Sequence, residues 1–217
     1  FQNTDIRRIT HWGITPETGV PLAAPGKYQV RFTVDGQHFT QPVEVTKDPA
    51  VATSVEDLQT STAMQVRIRD DITATSDMVN RMEVWRKQIE DQLKAAGSKS
   101  TAAKPLTDLN GAILDVELKL VSRSEMLSDD KYFPEAYKVY MNLIWLSGGV
   151  GQGASDEAGS VDYKPTDTQV AALSEIEKNL TAAKAGFDKL LATDLPAFNK
   201  RMAGRIPPIG DAKGETR

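Results

Sequence analysis

The sequence predicts an α+β chain that is mainly α. A small antiparallel β region over residues 1–50 is followed by an antiparallel helical bundle of about four helices over 53–204, and by a tail over 205–217. Three observations carry that reading. Tyr28, Val30, Phe32 and Val34 alternate with Gln29, Arg31 and Thr33, the period of two of a strand with one apolar face. Ile68, Ile72, Val79, Met82, Ile89 and Leu93 recur at helical steps, with Thr75 and Arg86 in the gaps, and lay one apolar stripe from Ser54 to about Ala96. Beyond Gly97, more runs of helical spacing are separated by Pro- and Gly-rich connectors.

Within the β region, Asp35-Gly36 is a tight-turn signal, and Phe39, Pro42, Val43 and Val45 form the second arm of a hairpin. Residues Ile6 to Trp12 are read as a further strand. Lys47-Asp48-Pro49 ends the sheet, because proline has no amide hydrogen to donate. A hairpin and one strand are too little to stand as a sandwich alone, so either further strands precede Phe1 or the hairpin lies on the helices.

Ser54 or Thr53 caps the long helix, Glu56 and Asp57 complement its N-terminal amides, and Gly97 ends it. At ~1.5 Å per residue its length is about 60 Å, so several helices are needed to cover the stripe. The second helix is expected from Pro105 to Met126, with Leu106, Leu109, Ile113, Val116 and Leu120 inward and Gly111 at a close helix contact. A third starts near Pro134 and carries Tyr137, Tyr140, Met141, Ile144 and Trp145. Ser147 to Thr166 is glycine-rich and read as a flexible loop. The fourth helix starts after Thr166 or Asp167, carries Val170, Leu173, Ile176, Leu180, Phe187, Leu190 and Leu191, and continues, bent by Pro196, through Phe198 and Met202. In the tail, only Ile206 and Ile209 are expected to dock.

A net charge of −4 and a pI near 5.3 argue against a surface that neutralises phosphates, so nucleic acid is not an expected partner. No apolar run reaches the ~20 residues of a membrane span. With no cysteine, disulfides and thiolate chemistry are excluded. The sequence opens on Phe1 without a signal-peptide pattern, and is read as a mature chain or part of a longer one.

No catalytic, cofactor-binding or metal-ligating set is expected. His11 and His38 lack the companions of a metal or general-base site and are read as structural or solvent-facing. Gly148 to Gly153 follows a helix and precedes Asp156-Glu157, the wrong context for a phosphate-cradling loop. Asp129, Asp130 and Glu135, and Asp156, Glu157 and Asp162, lack the alternating ligand order of a calcium loop and are assigned to capping and solvation. Asn179-Leu180-Thr181 fits a glycosylation acceptor but falls inside a helix. Tyr137, Tyr140 and Trp145 are the candidate partner-binding residues, and the same stripe also fits a core role.

The run from Gly19 to Val30 (Gly-Val-Pro-Leu-Ala-Ala-Pro-Gly-Lys-Tyr-Gln-Val), Thr33-Val34-Asp35-Gly36, Thr40-Gln41-Pro42 and Val45 through Pro49 resembles a junction near the C-terminus of bacterial sortilin-like BNR-repeat β-propeller proteins. These are exported chains often named glycosyl-hydrolase-like. The resemblance continues at Asp57-Leu58-Gln59 and Gln65 to Asp70, and resumes at Ala192 to Asn199 and Ile206 to Ile209. It implies that the β region is part of an Ig-like sandwich of the flagellar hook-capping type, preceded by a propeller. It also implies export to the periplasm, the cell surface or the medium. It carries over no catalytic residue.

The expected function is therefore a non-catalytic C-terminal structural and interaction module, whose partner is its own upstream propeller or another protein. The alternatives are an accessory domain of a glycoside hydrolase, binding saccharide through Trp145 or Trp12, and a subunit of a cell-envelope assembly.

Overall fold

The computed structural model describes residues 9, 21–97, 100–123, 135–151 and 163–211. It is mainly helical with one two-stranded antiparallel sheet. The order is β1 (Gly26–Val34), β2 (Gln37–Val45), α1 (Val55–Ala96), α2 (Ala103–Leu120), α3 (Val139–Val150), α4 (Asp167–Lys189), a π turn (Leu190–Asp194) and α5 (Leu195–Met202). The described residues fall into two compact units. The first holds 21–70, 144–151 and 163–173; the second holds 9, 71–97, 100–123, 135–143 and 174–211.

In the first unit, β1 and β2 pair with Tyr28 opposite Val43 and Phe32 opposite Phe39. Asp35 and Gly36 both take positive φ, 49° and 77°, the signs a type I′ turn demands and the reason a twisted hairpin uses this dipeptide. On one face Thr33 Oγ1 and His38 Nδ1 lie 2.9 Å apart, so His38 is bonded across the ladder and exposed. The expected strand from Ile6 to Trp12, with His11, lies outside the described residues except for Ile9, which is buried.

The chain entering β1 is fixed to the start of α1. The Leu22 amide donates to Gln65 Oε1 and its carbonyl accepts from Thr62 Oγ1. After β2, Lys47 Nζ donates to the carbonyls of Val51 and Thr53 and orders the link into α1. Ser54 is the cap: its hydroxyl accepts from the Asp57 amide at 3.0 Å.

Ser147 to Val150 was expected to be loop and is the last turn of α3. Two side chains hold it. Tyr163 Oη and Gln169 Nε2 both donate to the Gly149 carbonyl, satisfying one of the acceptors a helix end leaves open. Gly151 sits so close to Gln65 that a Cβ there would lie 3.3 Å from Oε1 and 3.2 Å from the Ser147 carbonyl. Glycine here serves close approach. Most of the remaining expected loop lies outside the described residues. α4 then opens on a reciprocal cap between Thr166 and Gln169, each side chain bonding the other's amide.

In the second unit, the α1 stripe is buried at Ile72, Val79, Met82 and Ile89. Thr75 fills a gap by donating to the Asp71 carbonyl. Gly97, at φ 75°, ends the helix as a left-handed cap. α2 buries all five expected apolar residues. It stops at Leu120, six residues before the expected end, because Val121 turns extended (φ −135°, ψ 147°). Arg86 of α1 and Glu117 of α2 meet well back from the connector, which requires the two helices to run side by side in opposite directions.

A Cβ on Gly111 would meet nothing within 4 Å, so this residue does not mark the close contact expected of it. That contact is at Gly186 of α4, where an added Cβ would lie 3.1 Å from Val116 Cγ2. The next residue, Phe187, stacks on Trp85 of α1 with centroids 5.5 Å apart. Along α4 and the π turn, Ile176, Leu180, Phe187 and Leu190 are buried, while Val170, in the first turn, and Leu191 are exposed. A π turn precedes Pro196: the Leu195 amide reaches back to the Leu190 carbonyl, one residue further than in an α-helix. Pro196 has no amide hydrogen and its ring would crowd the carbonyl four residues back, so the wider turn relieves the strain.

Candidate interaction sites

Three arrangements stand out, each built within one unit. The first is the hairpin face. The register puts Tyr28, Val30, Phe32 and Val34 on the same side as Phe39, Val43 and Val45. Phe32 is 65% exposed and Phe39 53%, as a facing pair; Tyr28, Val30 and Val34 are also exposed. Tyr28 turns its hydroxyl to the Ala24 carbonyl at 2.6 Å, leaving its ring on the sheet. Contiguous apolar surface of this kind is how an interaction face is recognised.

The second is the Arg86–Glu117 pair. Glu117 is fully buried, on the same stripe of α2 as Ile113, Val116 and Leu120, and both its oxygens accept from Arg86 Nη1 at 2.8 and 2.9 Å. Burial raises the Glu117 pKa above its ordinary value, and the charge and hydrogen bond of Arg86 offset only part of that. Arg86 lines a cleft of about 650 Å³ together with Glu83, Lys87, Glu90, Asp91 and Asn110, whereas Glu117 is not part of its lining. The carboxylate is thus committed to an internal ion pair. Among the described residues, no group of three or more His, Cys, Asp or Glu side chains is placed to share a metal ion.

The third was not anticipated. The tail from Ile206 to Asp211 lies along α1 and α5 and is held by side chains that read its backbone. Asn199 accepts from the Ile209 amide through Oδ1 and donates to its carbonyl through Nδ2. Gln88 does the same to Gly210, through Oε1 and Nε2. Gln92 Nε2 donates to the Pro207 carbonyl. Asp211 accepts from Arg81 Nε and Nη2 and from the Trp85 indole nitrogen, and the Arg81 hydrogen bond draws its pKa down. Ile209 is buried; Ile206 is only partly covered. Docking by Ile209 follows from its apolar side chain, but carboxamides spaced to clamp a backbone leave no mark in a single sequence.

Of the three aromatic candidates, Tyr140 is fully buried and therefore belongs to the core; it is withdrawn as a partner-binding residue. Trp145 is 63% exposed. Five residues at ~100° each place it about 140° round α3 from Tyr140, so one stripe cannot carry both. Tyr137 precedes the helix, half-buried, with its carbonyl bonded by Asn142 Nδ2. Trp12, Asp129, Asp130, Asp156, Glu157 and Asp162 lie outside the described residues. Among the described residues no helix is long and apolar enough to cross a membrane.

Comparison of the chain with family models, with curated proteins and with solved structures finds no match.

Proposed function

We propose that this chain is a non-catalytic structural and protein-interaction module, the C-terminal part of a larger exported β-propeller protein of the sortilin-like kind. The open apolar face of the hairpin carries the reading. A two-stranded ribbon is marginal in water by itself, and a face of seven apolar residues is what a β-sandwich buries against its second sheet. The occupant proposed for that face is the earlier part of the same Ig-like domain, preceded by a propeller and exported with it from the cytoplasm; the resemblance of the residues from Gly19 to Pro49 supports this reading.

The test is the intact mass of the polypeptide in its source, with hydrogen exchange on the hairpin. The expected result is a mass far above 23.7 kDa and hairpin amides that exchange slowly in the whole protein and quickly in this chain alone. A native mass equal to that of this chain overturns the reading, as does hydrolase activity in the chain by itself.

The exposure of Trp145 favours one second reading, an accessory domain that stacks saccharide on that ring. Saccharide binding by the chain that disappears in Trp145→Ala supports it, and no binding across a panel of polysaccharides removes it.

A further inference from the structure

We infer that the groove along α1 and α5 is a peptide-binding site for an Ile-Gly-Asp segment, and that residues 206–211 are its resident, displaceable ligand. The inference is independent of the hairpin and of any upstream domain.

The manner of holding is that of peptide recognition. From Pro207 to Gly210, the backbone makes five hydrogen bonds to side chains of α1 and α5: Gln92 to Pro207, the Asn199 pair to Ile209 and the Gln88 pair to Gly210. Recognition of this kind reads the main chain first and adds pockets for particular side chains. Here Ile209 fills the pocket. Asp211 supplies an anion to a guanidinium and an indole N–H, the charge-assisted type of contact that fixes register. Pro207 and Pro208 each fix one backbone angle of the segment, which lowers the entropy lost on docking. The side chains that face the Asp211 carboxylate, Arg81 and Trp85, come from α1 and would meet the same segment delivered from elsewhere.

The way the segment is attached allows release. Gly204, at φ 75°, turns the chain out of α5, and the amides of Arg205 and Ile206 both bond the Met202 carbonyl. Pro207, Pro208 and Asp211 are exposed, so one side chain, Ile209, supplies most of the apolar burial. A segment held this way opens locally without unfolding the helices beneath. Closure is favoured because a short tether gives an effective concentration on the order of millimolar, which a competing peptide must exceed.

The probe is a fluorescein-labelled peptide of residues 205–211, titrated by anisotropy against the full chain and against the full chain carrying Ile209→Ser and Asp211→Asn. The weakened-tail chain is expected to bind the peptide at least tenfold more tightly than the wild type does. Adding Gln88→Ala to it should cost at least tenfold. Absence of binding to a weakened-tail chain whose circular dichroism is native overturns the inference. So does binding that ignores Gln88→Ala. Should the weakened-tail chain fail to fold, the wild type decides by hydrogen exchange: Ile209 and Gly210 amides must exchange through an opening that leaves the α1 amides protected. Exchange of those two amides only on global unfolding overturns it.

Discussion

Arg86→Ala is expected to be among the most damaging single changes outside the apolar core, and its cost should depend on pH. The substitution takes from a fully buried Glu117 carboxylate the guanidinium that donates to both its oxygens. Removing one partner of such a pair costs ~3–5 kcal/mol when the survivor is buried. The reciprocal change is milder. Glu117→Gln leaves Arg86, whose side chain is 30% exposed and can turn to water, and the amide oxygen still accepts, so the expected cost is about 1–2 kcal/mol.

The pH dependence follows from the direction of the Glu117 shift. Burial raises its folded pKa above the unfolded value near 4.5, and Arg86 holds it down in part. Without Arg86 it rises further. Between the two values the folded state binds more protons than the unfolded one, so stability falls as pH rises, by up to about 1.4 kcal/mol per pH unit, and levels off above the folded value. Urea denaturation at pH 5 and pH 7, followed by circular dichroism, measures both effects. Arg86→Ala should recover part of its deficit at pH 5, and adding Glu117→Gln should rescue it at pH 7. A deficit equal at the two pH values, or a cost no larger than that of Glu117→Gln, would falsify this account of the pair.

Four further outcomes are expected. Gly186→Val should destabilise by ~1–3 kcal/mol, because a Cβ already lies 3.1 Å from Val116 Cγ2, whereas Gly111→Ala, facing open space, should stabilise by up to ~1 kcal/mol; thermal melts compare them. Gly36→Val should cost ~1–2 kcal/mol in the hairpin, read as faster exchange of its amides, because φ is 77°. The Asp211 pKa is drawn down chiefly by the Arg81 hydrogen bond, so its contribution is present above the unfolded value near 3.8 and lost as pH falls through the folded one. Fluorescence of Trp85, whose indole nitrogen bonds Asp211, should therefore hold steady from pH 8 to 5, change in stronger acid, and lose that acid transition in Asp211→Asn. Trp145→Ala should shift the urea midpoint by the equivalent of less than ~0.5 kcal/mol, given its exposure.

Much of the fold was legible because it depends on neighbours in sequence. The alternation in β1 with Asp35-Gly36, the stripes of α1 and α2, the Ser54 cap and the Gly97 stop all follow from local geometry, and each stands where expected. Arg86 in a gap of one stripe, and Glu117 in register with another, were in principle a readable pair: opposite charges on two apolar faces that must pack together. Other features were not readable. The helical state of Ser147 to Val150 is held by Tyr163 and Gln169 from beyond the turn, and local composition reports only the glycines. Tyr140 and Trp145 shared a run of aromatics, and only the placement of the helix decided which one is buried.

The sequence by itself determined a hairpin with one apolar face, long amphipathic helices and an acidic chain without cysteine, since periodicity, caps and charge belong to the chain in any environment. Tertiary structure decided that Gly186 rather than Gly111 is the close contact, that Glu117 is answered by Arg86, and that Gln88, Asn199, Arg81 and Trp85 converge on the tail. The physical reason is range. A hydrogen bond between residues more than a hundred positions apart, such as Gln88 to Gly210, depends on where two helices are packed and leaves no period in the sequence.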